Sequence, residues 1–147
     1  MKMPVLNFPA SCDFRLKEEN AVWHIWDEVR KKWLILTPEE WVRQHIILYL
    51  KQKFRLSASN ILVERKVKIN RQPQRLDVLI LKKALPFLLV ECKAPDVKLT
   101  EKIFEQTARY NSQVQAEYLL ITNGLQHIYF RYDKEKNEYS PCDEVEY

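Results

Sequence analysis

Residues 74–95 read QRLDVLILKKALPFLLVECKAP, and this stretch decides the fold. Two apolar runs, Val78–Leu81 and Leu85–Val90, flank a short Lys-Lys-Ala connector. Runs of that length around so short a connector predict a buried β-hairpin. A turn centred on Ala84 sets Asp77 opposite Glu91. Cross-strand neighbours have Cβ atoms roughly 4.5–5.5 Å apart, so the two carboxylates meet. Side chains alternate along a strand, which puts Glu91 and Lys93 on one face and Cys92 on the other. Two acids and a lysine thus gather at one end of a greasy hairpin, where burial is costly without a cation or a partner. A slip of one residue in the pairing would turn one carboxylate to the opposite face.

Upstream of the hairpin, Ile61–Ile69 (ILVERKVKI) alternates and predicts a half-buried strand, with Ile61, Val63, Val67 and Ile69 on its apolar face. Ser57–Asn60 reads as a loop. Thr37-Pro38-Glu39-Glu40 is a helix start, with threonine as N-cap, proline in the first position and Glu40 in capping-box position, and the helix runs to about Phe54. Val22, Ile25, Trp26, Val29 and Trp33 recur at helical spacing, which predicts a further helix over 20–34. Residues 1–19, with prolines at 4 and 9, read as an extended arm.

Downstream, Pro95 ends the hairpin. A helix capped by Thr100 follows over 99–115, with Ile103, Thr107, Tyr110 and Val114 on one face and Gln106 beside them. Tyr118–Thr122, His127–Asp133 and a last edge strand at EYSP complete the chain. A helix that leaves the hairpin and returns as a strand is a crossover connection. The fold class is therefore α/β (α+β), a central mixed sheet flanked by helices, in one domain spanning 1–147.

Composition narrows the function. The 147 residues are 46% hydrophobic and 12% aromatic, which marks a globular chain. No apolar run approaches a membrane span and no secretory h-region opens the sequence, so a cytoplasmic location without membrane contact is expected. Three cysteines without Cys-x-x-Cys spacing indicate reduced thiols rather than a disulfide framework or zinc site. A single glycine, Gly124, excludes glycine-rich phosphate loops, and no nucleotide cofactor is expected. The net charge of +4 is concentrated between Lys51 and Arg75, where eight basic residues stand against Glu64 alone. That strip is either a solvated face or a set of phosphate contacts.

An acid at the start of one strand and Glu-x-Lys at the end of the next, here Asp77, Glu91 and Lys93, resemble the PD-(D/E)xK nuclease superfamily. TPEEWVRQ, RLD, LLVECKAP, EQTARYN and ITNG are similar to the N-terminal nuclease domain of type I restriction enzyme R subunits, over about residues 14–132. The closest resemblance is to short bacterial proteins carrying only that domain. The superfamily's proline before the first acid is Leu76 here, the hairpin lacks the relatives' glycine, and nothing resembles a helicase motor.

The resemblance implies a restriction-endonuclease-like fold and a Mg²⁺- or Mn²⁺-dependent deoxyribonuclease. Asp77 and Glu91 would be metal ligands, joined by an acid of the first helix. Either Glu39 or Glu40 fills that place, and Glu40 is preferred although its capping position explains it equally well. Lys93 would orient or deprotonate the attacking water, Gln106 would serve catalysis, and Arg75, Tyr110, Lys66 and Lys68 would contact DNA. The residues themselves agree, because hard carboxylate oxygens suit Mg²⁺ and a lysine beside them stabilises developing phosphate charge. Two other readings stay open: a nucleic-acid-binding module of the same fold that does not cut, and a structural protein whose charges pair internally. A homodimer would bring two sites to a duplex, although no residue indicates one.

Overall fold

The computed structural model describes residues 3–9 and 12–147. A small meander comes first: β1 (Leu16–Glu19), β2 (Val22–Asp27) and β3 (Lys32–Ile35), all antiparallel. Helix α1 (Pro38–Phe54) follows, and a 3₁₀ turn at Ala58–Asn60 leads into β4 (Ile61–Ile69), β5 (Gln72–Lys82) and β6 (Leu85–Cys92). Helix α2 (Glu101–Val114) crosses to β7 (Tyr118–Thr122), and β8 (His127–Asp133) and β9 (Glu138–Cys142) close the chain. The main sheet has the order β4-β5-β6-β7-β8-β9, with β6 and β7 parallel and every other pair antiparallel. The parallel pair is the one joined through α2, as a crossover requires. No helix among the described residues is long and apolar enough to cross a membrane.

The two helices cover opposite faces of the sheet. Val42, Ile46, Ile47 and Leu50 of α1 pack on Val78, Ile80, Leu88, Val90 and Leu120. Phe104, Ala108, Tyr110 and Val114 of α2 pack on Leu76, Leu79, Leu89 and Leu119. The central strands β5, β6 and β7 bury residues on both sides. This is why the central hairpin reads as a continuous apolar run.

Three expectations are corrected. Residues 20–34 form β2 and most of β3, not a helix. Asn20 and Ala21 have φ of 53° and 63°, the two-residue turn that suits a hairpin, and Glu19 pairs with Val22. Valine, isoleucine and tryptophan favour the pleated sheet, and pairing with β1 and β3 outweighs their helical spacing. Next, the arm is not extended to residue 19, because Leu16–Glu19 is β1. Residues 3–9 lie on the domain: Leu6 is buried, Asn7 N donates to Gly124 O at 2.8 Å, and Trp41 Nε1 donates to Pro4 O at 2.9 Å. A Cβ at Gly124 would stand 2.9 Å from Leu6, and its φ of +86° also favours glycine.

The third correction concerns the hairpin turn. Lys82 pairs with Leu85, so the turn is the two residues Lys83 and Ala84, with φ of 50° and 65°. That alone would put the two strands one step out of the expected register. A bulge between Ile80 and Leu81 restores it, and Val78 faces Val90. The expected register at the acidic end therefore holds for a different reason.

The first strand of this unit also departs from simple alternation. Ile61 and Val63 belong to the α1 side, whereas Val67 packs on the α2 side. In β5, Val78 and Ile80 face α1 and Leu76 faces α2. Both strands change face between Val63↔Val78 and Arg65↔Leu76, where Glu64 has φ of 52°. Asp77 lies at that crossing.

Candidate active site

Asp77 is buried at the end of β5's apolar run. One step beyond Val78↔Val90, the register sets it level with Glu91 on β6. Asp77 Oδ2 accepts from Cys92 N at 2.7 Å, and Oδ1 accepts from Arg43 Nε of α1. The face change explains this reach, since Asp77 must meet a helix on one side of the sheet and the edge of β6 on the other. Glu91 Oε1 lies 3.4 Å from Lys93 Nζ, with the two side chains 15% and 26% exposed. Burial pushes the Glu91 carboxyl up to about 7, with Asp77 next to it adding to the rise and Lys93 opposing it. Burial also raises Asp77, against the pull of Arg43 and the Cys92 N–H. The two carboxyls line one pocket, and burial raises each of them. Cys92, fully buried beside them, is held in the thiol form.

The first-helix acids separate. Thr37 Oγ1 accepts from Glu40 N at 3.0 Å, the N-cap bond. The Glu40 side chain does not turn back to complete a capping box. It accepts instead from Arg43 Nη1 at 2.6 Å, Gln44 Nε2 at 3.0 Å and Arg30 Nη2 at 3.3 Å. Glu39, a residue earlier, lines the open cleft with Asp77, Glu91, Glu64, Arg75 and Arg43. Glu40 was the preferred first-helix acid of the two, yet in the folded chain Glu39 is the one that lines the cleft.

Sequence reading missed the arginines. Arg43 bonds Glu39, Glu40 and Asp77 together. Arg30, from the β2–β3 turn, bonds Asp27, Glu40 and Glu64. Burial alone would raise Asp27, but hydrogen bonds from Arg30 and from Val29 N outweigh it and hold its carboxyl low. The signal for Arg43 was present in Glu39-Glu40-x-x-Arg43, a spacing that puts both acids within reach on one helix. Arg30 carried none, because it lies in the segment read as a helix.

The remaining candidates fall in two places. Lys66 sits directly across from Arg75, and Lys68 across from Pro73, on the part of the β4–β5 hairpin beyond the face change. All three basic side chains are exposed, and Arg75 Nη1 lies 3.9 Å from Glu64. Gln106 Nε2 donates to Tyr110 Oη at 3.0 Å, and Tyr110 Oη donates to Gln74 Oε1 at 3.3 Å. These two line a separate polar groove with Asn70, Gln72, Gln74 and Arg109. They meet each other, as their spacing predicts, but not the carboxylate cleft.

Chemically, the cleft is lined by the carboxylates of Asp77 and Glu91, with a lysine 3.4 Å from Glu91 and a basic hairpin at its border. The sequence profile that matches is described as type I restriction enzyme R protein N terminus, over residues 38–145. The chain belongs to this family. A comparison with curated proteins gave no match. The family's matched span contains Asp77, Glu91, Lys93 and Arg43, whereas the meander with Asp27 and Arg30 precedes it.

Proposed function

We propose that this R-protein N-terminal domain is a metal-dependent DNA endonuclease, with Asp77, Glu91 and Lys93 as its reacting cluster. The observation that carries the reading is the bulged hairpin register, which sets Asp77 level with Glu91 and leaves Lys93 beside Glu91. The donor chemistry suits Mg²⁺ or Mn²⁺: hard carboxylate oxygens, with Glu91 raised by burial and by the neighbouring Asp77. Among the described residues no three acidic, histidine or cysteine side chains converge as a ready cage. Mg²⁺ does not need one, since it commonly binds through one or two carboxylates and keeps its waters. When bound, such an ion supplies charge stabilisation and an activated water.

The chain's own residues supply the rest. Asp77 and Glu91 would hold the ion, and Lys93 Nζ would neutralise charge on the phosphate or orient the water. Glu91 beside it keeps that ammonium at the cleft. Arg75, Lys66 and Lys68 form an exposed basic face that would take the DNA backbone, and Tyr110 and Gln106 would contact the same strand farther along. The test is cleavage of supercoiled plasmid in Mg²⁺ or Mn²⁺. Nicking that disappears in Asp77→Ala supports the reading. No cleavage by the wild type, or equal cleavage by the variant, overturns it.

A second reading is a module that binds nucleic acid without cutting. Its support is Arg43, whose guanidinium already neutralises Asp77. Salt-dependent DNA binding that survives Glu91→Ala, without cleavage in any divalent ion, would select it.

A further inference from the structure

The guanidinium of Arg43 meets three carboxylates at once. Its Nε bonds Asp77 Oδ1, Nη1 lies 2.6 Å from Glu40 Oε1, and Nη2 lies 3.0 Å from Glu39 Oε2. The Arg43 and Asp77 side chains are each 7% exposed. Asp77 Oδ2 accepts one bond, from Cys92 N at 2.7 Å, and Oδ1 is the oxygen that carries a cation, the Arg43 guanidinium. A planar fork with five donors fixes the acids far better than a point charge would. We propose that Arg43 is a built-in counter-cation at Asp77 Oδ1 which a divalent ion must displace, so that metal loading is coupled to movement of this arginine.

This inference rests on the metal-dependent reading above. The physical ground is that an ionised carboxylate as buried as Asp77 is costly without a positive partner. Before loading, the partner is Arg43; afterwards it is the metal. The arginine has somewhere to go, because Glu39 is 46% exposed at the mouth of the cleft. A phosphodiester entering the cleft offers oxygens with the same bidentate geometry. Substrate and metal would then each ease the other's binding, because both relieve the same ion pair.

The experiment is calorimetric titration with Mn²⁺ of the full chain as wild type, Arg43→Gln, Arg43→Gln/Glu40→Gln and Arg43→Lys. Arg43→Gln should bind about tenfold or more tightly than wild type, since the competing cation is gone. The double variant has the formal charge of the wild type, so any gain it retains reports competition at Asp77 rather than net charge. Arg43→Lys keeps the charge without the fork, and should also bind more tightly. Asp77→Asn should abolish binding in every background. A purely structural arginine would lower the melting temperature of the metal-free variants and leave Mn²⁺ affinity unchanged or weaker; that result overturns the proposal. A variant that folds only with Mn²⁺ supports it, whereas variants that stay unfolded even in Mn²⁺ overturn it. Wild-type binding and cleavage with unimproved variants would sink this inference alone, while no binding by any form would remove the metal reading as well.

Discussion

Replacing Glu91 with glutamine should stabilise the metal-free protein, and only at high pH. The Glu91 carboxyl rises from 4.5 in the unfolded chain to about 7 in the folded one, through burial first and Asp77 second. Between those values the folded state binds more protons than the unfolded state, so stability falls as pH rises through this window. At ~1.36 kcal/mol per pKa unit, ionised Glu91 costs about 3 kcal/mol above about pH 8. Glutamine keeps the shape and removes that cost. The 3.4 Å pairing with Lys93 already opposes the rise and is contained in that net shift, so its loss adds no further cost. The net gain is therefore about 3 kcal/mol at about pH 8 and close to zero at about pH 4.5. For a chain of this length that is a rise in melting temperature of roughly 6–12 °C. Urea unfolding of both forms in chelator, across pH, measures the difference directly. A glutamine variant no more stable at high pH, or a difference independent of pH, would refute the account of this site as a destabilised carboxylate pair. Added Mn²⁺ should reverse the ranking, because a cation would stabilise only the wild type.

Other outcomes follow from the same geometry. Ala84→Gly should raise stability by about 0.5–1 kcal/mol in thermal unfolding, because Ala84 sits at φ of 65° in the hairpin turn; destabilisation would mean that the left-handed turn carries no strain. Gln106→Ala removes an exposed side chain and should shift stability by less than about 0.5 kcal/mol. Plasmid cleavage should still fall at least tenfold, and unchanged cleavage would reduce the Gln106–Tyr110–Gln74 chain to a brace for the β4–β5 hairpin.

Much of the architecture lies in local patterns. The apolar runs around Lys83-Ala84, the Thr37 and Thr100 caps and the Tyr118–Thr122 strand all depend on neighbours in sequence, and each forms as read. The meander does not, because Val22, Ile25, Trp26 and Trp33 recur at helical spacing although they form two strands. What separates the two is the pairing of β2 with β1 and β3, a non-local contact.

The candidate site divides along the same line. Its chemistry, two acids and a lysine at the end of a buried hairpin, was fixed by residue type and by period-two alternation. Its actual environment was decided by tertiary structure. A bulge at Ile80/Leu81 corrects a two-residue turn, and a face change at Glu64 carries Asp77 toward α1. Arg43 and Arg30 arrive from a helix and from a separate sheet. Long arginine side chains choose partners through space, and a buried acid must find a cation wherever the fold brings one. The helical spacing shows that Arg43 can meet Glu39 and Glu40, but no spacing encodes that it also reaches Asp77.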